Sequence, residues 1–211
     1  MRKVLCGDFS RHVFWARFAD KTPAVRKHSF PPVKKDGKNS WINSARLAVD
    51  RFTEKGLHRI AIITTSIIRK ISPRVERIAG YKKALESHDL LIREEYMKTA
   101  DADDIPSVLS ELFSLDTPPE AILAGNDIVL VEVLKYMKEK NMAIPEDAAV
   151  IGIDEVSFAS FFTPPVTTIV QPAVEMAKGA ADILLRQIKK NESEAEWMHR
   201  YKPSLIARYS G

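Results

Sequence analysis

Hydrophobic and polar residues follow two alternating patterns from residue 57 onward. Short runs of consecutive apolar residues are typical of strands that are buried on both faces of a sheet. Between these runs, apolar residues recur every three or four positions, which is the period of a helix with one apolar face. The patterns predict strands at about 57–64, 91–97, 120–124, 148–153, 166–170 and 204–209, and helices at about 73–87, 104–115, 128–140 and 172–190. One earlier helix is predicted at about 43–55.

The order of these elements indicates the class of fold. Strand and helix alternate with short connections, which is typical of parallel strands joined by crossover helices. Because apolar strands need cover on both faces, we expect a doubly wound α/β fold with helices on each side of a parallel sheet. The first 56 residues show little periodicity, apart from the helix that Gly56 is expected to end.

Length and composition limit the broad class of protein. The chain has 211 residues, of which 45% are hydrophobic and 28% are charged, values typical of a soluble globular protein with a sizeable core. Cys6 is the single cysteine of the sequence, which excludes an internal disulfide and a thiolate metal cluster. No apolar run reaches the length of a signal-peptide core or a membrane span. We therefore expect a cytoplasmic protein with no membrane partner.

Charge is distributed unevenly along the chain. Residues 1–60 carry 14 basic and 5 acidic side chains, a net charge of +9, whereas residues 61–211 carry 18 and 23, a net charge of −5. A basic segment of this kind can face nucleic acid or form an ordinary solvated surface. No zinc-finger spacing or aromatic RNA-binding motif accompanies the charge, so the solvated surface is the favoured interpretation.

Polar residues cluster where three predicted elements begin or end. In an open α/β sheet, ligands bind at the carboxyl ends of the strands. Residues 125–127 follow the strand at 120–124, residues 152–155 leave the strand at 148–153, and residues 74–77 begin a crossover helix. Carboxylate, amide and guanidinium groups at this edge suit a polar, polyhydroxylated small molecule, because Asp accepts from vicinal hydroxyls and Arg donates from a fixed fork.

Each of these residues also has a purely structural interpretation. Asn126 or Asp127 can cap the following helix by accepting from its free N–H groups. Asp154 can cap a turn, and Arg77 can be a surface residue paired with Glu76 or Asp154. Since Arg77 and Asp154 sit at the ends of elements, we expect Arg77→Ala and Asp154→Asn to remove ligand binding and leave the fold intact.

The sequence lacks the motifs of the common enzyme classes. It has no glycine-rich phosphate loop, no Gly-x-Ser-x-Gly elbow and no His-Glu-x-x-His helix, and its five histidines are scattered. The acidic groups at 101–104 and 192–196 resemble solvated loops and lack the spacing of an EF-hand. We therefore expect a binding module rather than an enzyme, with no catalytic residues, no metal site and no cofactor.

Several segments, in order over residues 40–211, together resemble one protein family. Residues 77–85, Arg-Ile-Ala-Gly-Tyr-Lys-Lys-Ala-Leu, are similar to a family helix of the form Arg-x-x-Gly-aromatic-x-x-Ala-Leu. The other matches are an Asn-Asp turn at 126–127, a "vPeDvavvGfDd" segment at 144–155, a "PPLTTv-qP" crossover at 164–172 and a "Li-R-S" segment at 205–210. The combination resembles transcriptional regulators of the lactose/galactose-repressor (LacI/GalR) type.

The resemblance implies a particular architecture. Members of that family have a periplasmic-binding-protein-like core of two α/β lobes, with a small-molecule effector in the cleft between them. In this chain one lobe is expected to be partial, formed by residues 1–57 and 166–196. The other lobe is expected to be complete and effector-binding, formed by residues 58–165 and 197–211.

The resemblance also implies site residues and partners. By the motif matches, Arg77, Asn126 and Asp154 fall on effector-contact positions, and Gln171 on the crossover is a further candidate. The family's members are usually homodimers that bind operator DNA through an N-terminal helix-turn-helix. Because that domain has no match here and residues 1–20 resemble no part of the family, we expect an N-terminally truncated, effector-sensing domain of a transcriptional regulator.

Two other functions fit a similar fold. A sugar-binding protein of an uptake system shares the architecture, but export needs a signal peptide and the crossover at 164–172 fits the repressors better. An enzyme on a similar scaffold needs a nucleophile–base pair or a cofactor motif, and neither is present in the sequence. The expected effector is a sugar or a related polar metabolite, acting either as an inducer or as a co-repressor.

Overall fold

A computed structural model describes residues 40–65, 72–188 and 201–211 of the chain. The described residues form one sheet of six strands, and no helix among them is both long and apolar enough to span a bilayer. The strands are β1 (Ile60–Thr65), β2 (Met97–Ala100), β3 (Ala121–Ala124), β4 (Ala149–Ile153), β5 (Thr167–Val170) and β6 (Ser204–Ile206). The helices are α1 (Ser40–Glu54), α2 (Ser72–Ser87), α3 (Ile105–Phe113), α4 (Asp127–Glu139) and α5 (Ala173–Ile188), with single 3-10 turns at Glu94–Tyr96 and Ala102–Asp104.

The order of strands in the sheet is β2-β1-β3-β4-β5-β6. Strands β1 to β5 pair in parallel, and β6 runs antiparallel to β5. The predicted doubly wound α/β sheet is confirmed, with one antiparallel strand at its edge. Strands β2 and β3 lie on opposite sides of β1. The connection after β1 therefore leads to one side of the sheet and the connection after β3 to the other, which opens a crevice at the carboxyl ends of these two strands.

Neighbouring strand residues pack into two different hydrophobic cores. Ile62 of β1 packs in a core that includes Phe52 of α1, whereas Ile63 packs in a core that includes Leu109 of α3. This division follows from the alternation of side chains along a strand. Burying each large apolar side chain contributes about 1.5–3 kcal/mol, so strands that are apolar throughout stabilise both layers of helices.

Helix α1 belongs to the sheet domain, which corrects the predicted assignment of residues 1–57 to the partial lobe. Its residues Ala48 and Phe52 are fully buried in one core with strand residues. The connection from α1 to β1 turns at Gly56, whose φ of 77° favours glycine. Because this connection is short, α1 packs beside the strand that follows it. Residues 1–39 of the predicted lobe lie outside the described part of the chain.

The segment predicted as the other part of that lobe, residues 166–196, is divided in the structure. Strand β5 pairs with β4 in the main sheet, so its assignment to the partial lobe is also corrected. Helix α5 follows it and exposes apolar side chains, including Leu184 and Ile188. Exposed apolar residues on one helix are typical of a face that another protein surface covers. Residues 189–200 lie outside the described residues.

The segment after β6 is anchored in the core by Ser210. Its buried hydroxyl donates to the carbonyl of Val150 (2.6 Å) and accepts from the N–H of Thr167 (2.8 Å). Ser210→Ala removes both bonds and deprives a buried N–H of its acceptor, so we expect the free energy of unfolding to fall by about 1–3 kcal/mol. Urea unfolding measures the change. Ser204→Ala, at the exposed start of β6, is the control, and an equal loss in both variants would contradict this role.

Candidate functional site

The four predicted site residues lie at the carboxyl edge of the sheet. Arg77 is in the second turn of α2, Asn126 immediately precedes α4, Asp154 follows β4 and Gln171 follows β5. Because β3, β4 and β5 are parallel, the residues after their last positions share one edge. Direct polar contacts join Arg77, Asp154 and Gln171, whereas Asn126 bonds to Thr65 and Val129.

Arg77 is a buried residue of this edge, with only 5% of its surface exposed. Its Nη1 donates to the carbonyl of Gly125 (2.5 Å), and its Nη2 lies 3.5 Å from Oδ2 of Asp154. Burial lowers the pKa of the guanidinium, and the negative charge of Asp154 opposes that shift. The burial corrects the expectation that Arg77→Ala leaves the fold intact, because alanine would leave a cavity and remove the donor to Gly125.

Asp154 connects the helix side and the strand side of the site. Its Oδ1 accepts from Nε2 of Gln171 (2.7 Å), while its Oδ2 faces Arg77. Its backbone N–H donates to the carbonyl of Ile169, and its φ of 81° lies in the left-handed region. With 38% of its side chain exposed, the carboxylate is both held by the protein and accessible to a ligand.

Asn126 has the capping role that the sequence left open. Its Oδ1 accepts from the N–H of Val129 (2.9 Å) at the start of α4, and its Nδ2 donates to Oγ1 of Thr65 (3.1 Å). These bonds satisfy one free N–H of the helix and fix the amide beside the end of β1. A contact between Asn126 and an effector stays a prediction.

Thr64 and Thr65 are polar residues at this edge that were not among the predicted site residues. Both are buried, and Thr65 binds Asn126. Oγ1 of Thr64 and Oε1 of Gln171 are buried and have no hydrogen-bond partner within the described ranges. Since buried polar atoms are normally paired, these two are candidates to bind a polar ligand or water. The available signal was a pair of hydroxyl residues at the carboxyl end of an apolar strand.

The described residues contain no evident metal centre. Within 40–65, 72–188 and 201–211, no group of three His, Cys, Asp or Glu side chains could hold a metal ion. The polar groups of Arg77, Asp154, Asn126, Gln171, Thr64 and Thr65 at the carboxyl edge include a guanidinium, a carboxylate, two amides and two hydroxyls. This set can donate to and accept from a neutral polar molecule.

Comparison with known proteins identifies the family. The periplasmic binding protein-like domain matches residues 49–210, which is most of the chain. The chain belongs to this family. As a periplasmic binding protein-like domain it has the fold that the sequence predicted, and its relatives confirm the resemblance to LacI-type regulators.

The curated relatives of this domain are transcriptional regulators. The probable HTH-type transcriptional regulator EndR of Paenibacillus polymyxa is 42% identical over 154 residues, covering 72% of this chain and 45% of that protein. The ribose operon repressor of Escherichia coli K12 is 35% identical over 166 residues, covering 78% of this chain and 49% of that protein. The chain therefore spans about half the length of the curated relatives it matches.

A solved structure with a similar fold is also that of a transcriptional regulator. The transcriptional regulator CelR in complex with cellobiose superposes with a TM-score of 0.75 at 27% identity, covering 82% of this chain and 53% of that one. The relatives are named as regulators and not as enzymes. They also give less support to the alternative of a binding protein of an uptake system.

Proposed function

We propose that this chain is the effector-sensing domain of a LacI-type transcriptional regulator, and that its effector is a sugar or a related polar metabolite. The observation that carries the proposal is the linked group of Arg77, Asp154 and Gln171 at the carboxyl edge of the sheet. The names of two relatives support the class of effector, because one is a repressor of a ribose operon and the other is a complex with cellobiose.

The chemistry of the linked group suits a molecule with several hydroxyls. The Asp154 carboxylate accepts from neighbouring hydroxyls, and the buried Oε1 of Gln171 is a further acceptor. Arg77, which is nearly fully buried, holds the carboxylate from the protein side. Asn126 is fixed beside the same edge by its bond to Thr65 and contributes an amide.

The site is one wall of a cleft in the proposed regulator, and a second lobe supplies the other wall. The exposed apolar face of α5, with Val174, Leu184, Leu185 and Ile188, is proposed to pack in that lobe. The regulator acts in the cytoplasm and binds operator DNA through a helix-turn-helix domain. Effector binding shifts the two lobes and thereby changes the affinity for operator DNA.

A thermal-shift screen of the chain tests the proposal. The panel contains D-ribose, cellobiose, D-glucose, nucleosides and sugar phosphates, with apolar alcohols as the negative set. A ligand that binds the folded state raises the melting temperature by mass action, and we expect a rise for one class of sugar only. A rise that is confirmed by calorimetry supports an effector domain. Binding of apolar ligands alone, or turnover of a panel member, would contradict it.

A second part of the proposal is that the chain forms a homodimer through the surface beside α4. A groove of about 380 Å³ lies between the start of α4 and the turn after β4. The exposed side chain of Ile128 lines it, and the exposed Phe161 follows in the same turn, where its N–H donates to the carbonyl of Phe158. Apolar surface of this kind favours association with another chain. The groove is lined by Asp127, Ile128, Val131, Glu132, Val156, Ser157 and Phe158.

Phe161→Asp should weaken the homodimer about ten-fold or more. Phe161 is 74% exposed in the single chain. Burying a phenylalanine in a dimer interface contributes about 1.5–3 kcal/mol to the free energy of association, and an aspartate at this position does not make that contribution. Sedimentation equilibrium measures the dimer dissociation constant. Leu91→Asp is the matched control, because Leu91 is 79% exposed and lies near Ile60, at the amino end of β1. A monomeric wild-type chain, or equal weakening in both variants, would contradict the proposed surface.

A further inference from the structure

Arg208 joins three segments beside the effector site and was not among the predicted site residues. Its side chain is only 15% exposed, and its Nη2 lies 2.6 Å from Oε1 of Glu155. Its Nη1 donates to the carbonyl of Val166 (2.7 Å) and to the hydroxyl of Thr168 (3.0 Å), and that hydroxyl donates to Oε2 of Glu155. Arg208, Glu155 and Thr168, named here the Arg208 clamp, connect the turn after β4, strand β5 and the segment after β6.

The clamp stabilises the ionised form of Glu155. Partial burial by itself raises the pKa of Glu155, but hydrogen bonds from Arg208 and Thr168 outweigh that effect and lower the pKa below its ordinary value. A carboxyl whose pKa is lowered on folding adds stability above its unfolded pKa of about 4.3 and loses it as the pH falls through the folded value. The clamp is therefore intact at neutral pH.

The residue next to the clamp, Asp154, has a backbone conformation that needs support. Its φ of 81° costs a non-glycine residue free energy and persists where surrounding contacts fix it. The N–H of Asp154 donates to the carbonyl of Ile169 (2.9 Å), and its carboxylate accepts from Gln171. Glu155, the following residue, is fixed by the clamp. The turn after β4 is therefore bonded to β5 through two successive residues, Asp154 and Glu155.

We propose that Arg208 is a positioning residue of the effector site, which acts through Glu155 and keeps the carboxylate of Asp154 bonded to Gln171. Arg208 itself does not touch the effector. Arginine suits this position because its planar fork serves a carboxylate, a hydroxyl and a carbonyl at once, whereas lysine is a point charge. The consequence for effector affinity rests on the proposed function, but the consequence for the contact between Asp154 and Gln171 does not.

That contact can be followed without any ligand. The sequence contains two glutamines, Gln171 and Gln187, so ¹⁵N-glutamine labelling gives two side-chain amide signals, and Gln187→Glu assigns them by removing one. A variant that introduces a glutamine adds a third signal, and the methionine variant of the same position, which lacks that signal, identifies the signal of Gln171. In Arg208→Gln we expect the Gln171 signal to shift and its exchange with water to rise about ten-fold, as for one lost hydrogen bond. Lys202→Gln removes an exposed charge near β6 and is the control that should leave the signal unchanged.

Two further variants separate positioning from general stability. Arg208→Lys keeps the charge without the fork, and we expect it to shift the Gln171 signal as Arg208→Gln does. Glu155→Gln should do the same, and the double variant should shift the signal no further, because the two residues act as a unit. A lower melting temperature with an unchanged Gln171 signal would overturn the proposal. If Arg208→Gln does not fold, Glu155→Gln decides by the same signal.

Calorimetry with D-ribose and with cellobiose tests the consequence for binding. If either sugar binds the wild-type chain, we expect about ten-fold weaker binding to Arg208→Gln, as for one hydrogen bond that is no longer positioned. An unchanged dissociation constant would overturn the positioning role. If neither sugar binds, the proposed effector class loses its support, whereas the Gln171 amide signal still decides the role of Arg208.

Discussion

Asp154→Asn should weaken effector binding about ten-fold or more. A hydrogen bond to a charged group contributes about 1.5–3 kcal/mol, which corresponds to a change of roughly ten- to hundred-fold in the dissociation constant. Asparagine has nearly the size of aspartate and, like aspartate, tolerates a φ of 81°. The substitution therefore keeps the size and the backbone conformation of residue 154, and removes the negative charge that faces the ligand and the buried guanidinium of Arg77.

The fold of Asp154→Asn should remain intact, with a lower free energy of unfolding because the buried Arg77 loses its carboxylate partner. The side chain is 38% exposed, so the substitution neither opens a cavity nor buries a new polar group. The asparagine oxygen can still accept from Gln171, and Arg77 keeps its bond to the carbonyl of Gly125. Arg77→Ala is a poorer test, because the burial of Arg77 makes a loss of stability accompany any loss of binding.

Calorimetry with a sugar that binds the wild-type chain measures the effect of Asp154→Asn. Asp127→Asn is the matched control, because Asp127 is exposed at the same edge and its carboxylate accepts from the N–H of Ile128 beside it. Both variants remove one negative charge from the edge of the sheet. Unchanged affinity in Asp154→Asn would show that the site is elsewhere. An equal loss of affinity in Asp127→Asn would show that the effect is only long-range electrostatics.

The elements of the fold could be predicted from the sequence because each strand is an uninterrupted apolar run. The run at 148–153 became β4 with a difference of one residue at its start. The predicted strand at 91–97 was less accurate, since β2 begins only at Met97. Its burial is partial, so the apolar pattern there is weak. The order of the strands could not be predicted from periodicity, because it depends on contacts between residues that are distant in sequence.

The domain to which α1 belongs also could not be predicted from the pattern of apolar residues. Its apolar face was evident in the sequence, but that face fits equally well against any sheet. Only the buried contacts of Ala48 and Phe52 with strand residues assign it to this domain. A pattern of apolar positions predicts that a helix is covered on one side, and it does not identify the covering surface.

The predicted site residues lie at the edge of the sheet that the sequence indicated, whereas their contacts could be predicted only in part. Arginine is seldom buried, so a surface position was a reasonable interpretation of Arg77, and its burial depends on the carbonyl of Gly125 and on Asp154. Thr64 was included only as the last residue of the predicted apolar strand at 57–64, and no role was predicted for Thr65. Their polar role becomes evident only when β1 is seen to end beside Asn126.

Gly80→Val should destabilise the domain by about 3 kcal/mol or more, and Gly80→Ala by less. A Cβ atom at Gly80 would lie 2.4 Å from the carbonyl oxygen of Ile42 and 2.7 Å from its Cα, so helices α1 and α2 would have to move apart. Overpacking of this kind costs about 1–3 kcal/mol, and it exceeds the gain of up to about 1 kcal/mol that alanine offers in a helix. Valine adds two methyl groups and a β-branch to the same clash.

Urea unfolding of the series Gly80, Gly80→Ala and Gly80→Val measures the effect, with Lys83→Val at an exposed position of α2 as the control. The free energy of unfolding of the control should fall by less than about 1 kcal/mol, because valine there changes only the helix propensity. Arg77 lies on α2 less than one turn before Gly80, so a displaced α2 also moves the guanidinium away from Asp154. We therefore expect Gly80→Ala to weaken effector binding as well. If Gly80→Ala instead stabilises the domain, the two helices do not cross as closely as their backbones indicate, and Arg77 is positioned by other contacts.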